Sequence, residues 1–326
     1  MFALRHIHPK RGIGSALVAT LLFAALTAPV VAAKSAHETS GPRAWSVSAG
    51  VGTENHAIEG MVFLPGVITI DVGDSIVWRA GSGEIHTIVF PGAGGQIQPY
   101  NPGTYQPTSN TTYDGATYTA SPVLTVLPDK AGVPFTATSY KLTFSKAGEY
   151  TYFCSVHPGM QGTVVVQPAG AAYPHTQDDY NRESSIQRER LIAQGYSLSA
   201  QAERTASNHL VVAGIGNDQV DVMRFVRRSV TIHAGESVTF TNLSMGPHTV
   251  TFGPEPANPG AINFPYGDPT RYDGSAPLNS GLMGVITPPT FTVTFTTPGV
   301  FAYKCALHDY MGMVGTVVVL PSSASR

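Results

Sequence analysis

Residues 49–90 and 213–252 are two versions of one sequence, and this repeat restricts the possible folds more than any other feature of the chain. AGVGTENHAIEGMVFLPGVITIDVGDSIVWRAGSGEIHTIVF runs beside AGIGNDQVDVMRFVRRSVTIHAGESVTFTNLSMGPHTVTF, at a constant offset of 162 from Phe63 and Phe225 to His86 and His248. SYKLTFSKAGEYTYFC and TFTVTFTTPGVFAYKC then match at an offset of 151, so the first copy carries eleven more residues between its histidine and its cysteine. Repeats of this length are complete folding units, not solenoid blades. A chain of 326 residues has room for two separate cores.

Within each copy, VITIDV, SIVWR, YKLTF and EYTYF alternate apolar and polar residues, and VGD, AGE, KAG and TPG supply turns. Seven or eight such strands in about 115 residues predict an antiparallel Greek-key sandwich. The fold class expected is therefore all-β, with one sandwich over 45–168 and a second over 209–321. Pro/Gly/Asn/Tyr-rich insertions at 91–135 and 253–288 read as lids, partner surfaces or loosely ordered loops. Residues 169–208 join the copies. PAGAAYPHTQDD reads as linker, and RESSIQRERLIAQGYSLSAQAER as either a solvated spacer or an amphipathic helix with Ile186, Leu191 and Ile192 near one side. If helical, it would fix the two sandwiches relative to each other.

Residues 1–33 have the form of a secretory signal. Arg5, Lys10 and Arg11 precede an apolar stretch over 16–31, and Val31-Ala32-Ala33 offers a small-residue cleavage site after Ala33. A retained anchor is the alternative, but Thr20, Thr27 and Pro29 interrupt the run. Loss of those three basic residues, with no acidic one, takes the net charge from −2 to −5. A mildly acidic chain with no basic stripe is not built for nucleic acid. The expectation is a secreted or periplasmic protein with no membrane span in the mature chain.

The two cysteines are the only ones present, and each opens a compact cluster: CSVHPGM over Cys154–Met160 and CALHDYMGM over Cys305–Met313. Both clusters run into GTVVV, and each copy has its own upstream histidine, His86 or His248. A disulfide is the ordinary fate of two exported cysteines. Here it would tie together equivalent positions of two repeats and leave the neighbouring ligand-type residues without a role. A thiolate, two imidazoles and a thioether instead suit copper cycling between Cu(I) and Cu(II). Zinc is a poorer match, because its sites seldom include methionine.

These residues resemble the cupredoxins, the plastocyanin, amicyanin and pseudoazurin group of blue copper proteins, and the resemblance spans both repeats. The first loop, Cys-x2-His-x2-Met, is similar to that of amicyanin, and the second, Cys-x2-His-x4-Met, to those of plastocyanin and pseudoazurin. The resemblance implies two type 1 copper ions, one per domain. The ligands would be His86, Cys154, His157 and Met160, then His248, Cys305, His308 and Met313. Met311 competes for the second axial place, and Met313 is preferred because it shares the M-x-G-T-V-V-V context of Met160. Thr87 and Thr249 stand where many of these proteins have asparagine, and could support the cysteine loop by hydrogen bonding. The unequal loops imply unequal potentials.

The function expected is electron transfer, with redox partner proteins docking near His157 and His308. Storage or delivery of copper is the alternative, although no methionine- or histidine-rich tract favours it. A multicopper enzyme would need His-x-His or His-Cys pairs, and the sole His-x-His, His6 and His8, lies in the leader. No catalytic residues are expected. His56, His175, His209 and His233 read as ordinary exposed or hydrogen-bonded histidines. Met61, Met223, Met245 and Met283 read as packing residues, with flanking of the second site as the alternative for Met245 and Met283.

Overall fold

The structure, a computed structural model, describes residues 41–322. The expected signal segment and its cleavage site lie outside the described residues. In the first repeat the alternating stretches form β1 (Ala44–Gly52), β2 (Ile58–Leu64), β3 (Val67–Asp71), β4 (Ser75–Ala80), β5 (Ser139–Phe144), β6 (Gly148–Phe153) and β7 (Gln161–Gln167). The second repeat follows in the same order with β8 (Leu210–Gly216), β9 (Val220–Val226), β10 (Ser229–His233), β11 (Ser237–Leu243), β12 (Thr290–Thr294), β13 (Gly299–Lys304) and β14 (Val314–Leu320). Strands of two or three residues supplement these in and beside the insertions.

Alternation decides which side chains fill each sandwich. In the first, Val47, Ile76 and Trp78 from one sheet meet Ile68, Ile70, Val164 and Tyr152 from the other. In the second, Val211, Val238 and Phe240 meet Val230, Ile232, Val317 and Tyr303. Equivalent aromatics make equivalent contacts: the Phe63 and Tyr152 rings are centred 4.7 Å apart, as are those of Phe225 and Tyr303. The pairing is mixed, because β1 runs parallel to β4 and β3 parallel to β7.

The two sandwiches share a sheet. β2 pairs antiparallel with β9, so one hydrogen-bonded order runs β12-β11-β8-β9-β2-β1-β4-β5 through both repeats. The register obeys the repeat: Ile58 faces Val222, Glu59 faces Asp221 and Gly60 faces Val220. Exchanging the copies at the offset of 162 returns the same set of pairs. Met61 N–H to the Gln219 carbonyl and Met223 N–H to the Ala57 carbonyl repeat the relation. This is the isologous contact of a two-fold dimer built into one chain.

The segment between the repeats is a helix, α1 (Gln177–Thr205), with Thr176 and Asp179 forming a capping box at its start. It packs on β1 and β2 of the first repeat and on β8 and β9 of the second. The buried stripe is Tyr180, Leu191, Gly195 and Ala202, with Ile192 and Leu198 beside it. Ile186, expected on the apolar side, is instead 51% exposed. Gly195 permits the close approach, since a Cβ there would overlap the Ile58 side chain. No helix of the described residues is long and apolar enough to cross a membrane.

The insertions are built into the fold, and each reaches the upstream histidine of its own repeat. His86 exchanges backbone hydrogen bonds with Leu124, and the His248 carbonyl accepts from Met283 N–H at 2.9 Å. Met283 is fully buried there, whereas Met245 is exposed.

Candidate metal centres

Each cluster forms at one end of a hairpin. Cys154 follows β6 and Met160 precedes β7, with Cys154 N–H donating to the Met160 carbonyl at 2.9 Å. Cys305 and Met313 stand likewise between β13 and β14, at 3.0 Å. The two extra residues of the second loop are taken up by a 3-10 turn over Asp309–Met311. Both cysteines are buried and free, so the disulfide alternative falls away.

The upstream histidines complete two groups, His86 with Cys154 and His157, and His248 with Cys305 and His308; the ligand atoms of each lie within 4.8 Å of one another. In the first, Cys154 Sγ is 4.0 Å from His86 Nδ1 and 3.6 Å from His157 Nδ1. In the second, Cys305 Sγ is 3.9 Å from His248 Nδ1 and 3.5 Å from His308 Nδ1, and the two nitrogens are 3.1 Å apart. A trigonal ion bonded at about 2.0 Å to nitrogen and 2.3 Å to sulfur separates its donors by roughly 3.5–3.8 Å. The donor sets therefore fit a copper ion in size and in chemistry.

Burial makes the groups good ligands. It lowers His157 to about 4 and His248 to about 3, and pushes His86 and His308 well down, so all four imidazoles are neutral near pH 7. It raises the thiol of Cys154 and takes that of Cys305 up to about 11, which leaves both protonated until a cation favours the thiolate.

Thr87 and Thr249 do support the cysteine loops. The backbone N–H of each points at its cysteine Sγ, 3.4 Å away. Thr87 Oγ1 accepts from Ser155 N–H at 2.8 Å, and Thr249 Oγ1 from Ala306 N–H at 2.7 Å. Met160 and Met313 are buried in the same apolar clusters as their cysteines. Met311 is also buried, but its sulfur lies against Gly83 of the other repeat. Of the histidines set aside, His56 lies at the junction, with Nδ1 3.3 Å from buried Glu59 and its carbonyl taking Arg224.

Three features were not read from the sequence. Gly50 and Gly214 sit at bulges of β1 and β8 with φ of 75° and 82°, and a Cβ on either would overlap Nε2 of the upstream histidine. Their place in the repeated AGVG and AGIG was the available signal. The third is Glu84, buried between the loop histidines of the two sites. Its Oε1 is 3.8 Å from His157 Nε2 and its Oε2 is 3.4 Å from His308 Nε2. The expected docking histidines thus turn their outer edges toward one carboxylate, and their side chains are 18% and 10% exposed.

Two sandwiches, each with a buried His-Cys-His group at the end of a hairpin, define a copper-protein architecture. The family model described as copper binding proteins, plastocyanin/azurin family, matches residues 50–167 and 211–320, and the chain belongs to that family. It is 31% identical over 156 residues to the chloroplastic plastocyanin of Tetradesmus obliquus, covering 47% of this chain and 93% of that protein. With the plastocyanin of Prochlorothrix hollandica it is 34% identical over 130 residues, covering 40% and 85%. Among solved structures, amicyanin from Paracoccus versutus matches at 22% identity with a TM-score of 0.25, over 38% of this chain and 81% of that one.

Proposed function

We propose that the chain is an exported electron-transfer protein carrying two type 1 copper ions. His86, Cys154, His157 and Met160 hold one, in the repeat over 45–168. His248, Cys305, His308 and Met313 hold the other, in the repeat over 209–321. The observation that carries this reading is the doubled His-Cys-His group, with every donor atom within 4.8 Å of the others in its group. Copper in such a site supplies a one-electron couple.

The protein's own part is to keep the donors in one arrangement for both oxidation states. The bulge glycines seat the upstream imidazoles, the threonines hold the cysteine loops, and burial keeps water from the thiolate. The unequal loops give the sites unequal potentials, so electrons have a preferred direction. A redox partner exchanges electrons near the loop histidines, and of the two His157 has the more exposed side chain.

Repeated anaerobic reduction and reoxidation in the presence of a Cu(I) chelator tests the role. A carrier keeps both coppers through the cycles, whereas transfer of Cu(I) to the chelator would indicate delivery. A redox titration resolving two potentials supports the directional reading, and a single shared value removes it. For export, the N-terminus of protein recovered outside the cytoplasm should begin after Ala33.

A further inference from the structure

Among the described residues, Glu84 is the one acidic side chain that lies within 4 Å of a histidine of each metal group. It is 4% exposed, and its counterpart at the offset of 162 is Gly246, so a single carboxylate serves both sides of the two-fold junction. Its backbone is fixed from several directions. Gly83 N–H donates to Glu59 Oε2 at 3.1 Å, and the Gly83 carbonyl accepts from Thr125 Oγ1 at 2.8 Å and from Tyr310 Oη of the other repeat at 3.2 Å. Glu84 Oε2 is buried and accepts no hydrogen bond, although His308 Nε2 stands 3.4 Å away.

An ionised carboxylate only accepts, and burying one with an oxygen left without a donor is disfavoured. The missing donor follows from the ligand arrangement. Both loop histidines present Nδ1 to their cysteine, and a metal on Nδ1 places the ring proton on Nε2. Metal-binding imidazoles ordinarily give that proton to a carboxylate, carbonyl or water. Here the Nε2 atoms of two different sites face the two oxygens of one group.

We propose that Glu84 is a positioning residue shared by the two centres, accepting Nε2–H of His157 with one oxygen and of His308 with the other. The resulting imidazole–carboxylate–imidazole bridge is the path for electron exchange within the chain. One electron leaves the reduced centre and enters the oxidised one, and both Nε2 protons stay in place. This rests on the two-copper reading above.

The test uses the full chain loaded with copper, as wild type, Glu84→Gln and Glu84→Ala. In the cuprous protein, the Nε2–H signals of His157 and His308 in nitrogen-edited NMR should both be slow to exchange. Both should be lost in Glu84→Ala. One should survive in Glu84→Gln, because an amide offers one acceptor oxygen in nearly the same shape. Injecting less than one electron per molecule by pulse radiolysis should show exchange between the sites at least tenfold slower in Glu84→Ala, with both blue centres retained. In Glu84→Ala, unchanged Nε2–H signals, a change confined to one histidine, or an unaltered exchange rate would each overturn the bridge. A wild type lacking two blue centres would overturn the two-copper reading, and the bridge with it.

Discussion

Glu59 and Asp221 face each other across the β2–β9 pairing, and each is the other's counterpart in the repeat. Two buried carboxylates on facing positions repel unless each finds donors or keeps its proton. Glu59 has the Gly83 N–H and His56 nearby, and Asp221 has His248 Nε2 at 3.9 Å. The junction of the repeats is therefore acidic, buried and next to both metal groups.

That arrangement makes the metal-free protein sensitive to pH. Burial raises Glu84 to about 8 and Asp221 to about 7. Their stabilisation is complete below the unfolded values of 4.5 and 3.8 and is lost as pH rises through the folded ones. The histidines with lowered values act oppositely: their contribution is complete above the unfolded 6.5 and is lost as pH falls through about 4 and about 3. From roughly pH 6.5 to 8 the carboxyl groups dominate, so urea melts should show stability falling by about 1–2 kcal/mol from Glu84. Glu84→Gln should flatten that decline. An identical slope in the variant would count against a proton held at Glu84.

Gly50→Ala should abolish the first centre and spare the second, and Gly214→Ala should do the reverse. Each change strains a left-handed backbone and pushes a methyl into the imidazole that it now supports. A cost of about 1–3 kcal/mol is expected, with copper binding falling from two equivalents to one. Two retained equivalents in either variant would show that the upstream imidazole can shift without loss.

Thr87→Val and Thr249→Val should weaken their sites without emptying them. Valine keeps the shape but leaves the Ser155 or Ala306 N–H without its acceptor, a loss of about 1–3 kcal/mol. Copper affinity at the affected site should fall by about 10–100-fold, measured by chelator competition. An unchanged affinity would mean that the cysteine loop holds itself.

Gly195→Ala offers a test of the helix as a clamp. Within a solvated helix this change stabilises by about 1 kcal/mol. Here the added methyl meets Ile58, so thermal melts should show a loss of about 1–3 kcal/mol. Stabilisation instead would place α1 farther from β2.

Much of this was legible in the amino-acid order, because strand alternation and ligand spacing are local. The repeated Cys-x2-His loops, the paired upstream histidines and the threonine supports all follow from short windows. The shared sheet does not, since β2 and β9 carry no mark of pairing beyond ordinary alternation. The helix was ambiguous because its stripe mixes Tyr180, Gly195 and Ala202 with larger residues, and Ile186 misleads by facing solvent. Glu84 was invisible for a related reason: the second copy has glycine there, and only the folded junction brings His308 to it.

Each repeat is expected to hold one thiolate-ligated copper, and a copper count taken alongside the visible spectrum checks this. Oxidised wild type should hold two coppers per chain with intense thiolate-to-Cu(II) absorption. Cys154→Ser and Cys305→Ser should each hold one thiolate-bound copper and about half that absorption. A colourless wild type, or one in which a single cysteine substitution removes all the colour or none of it, would contradict the account.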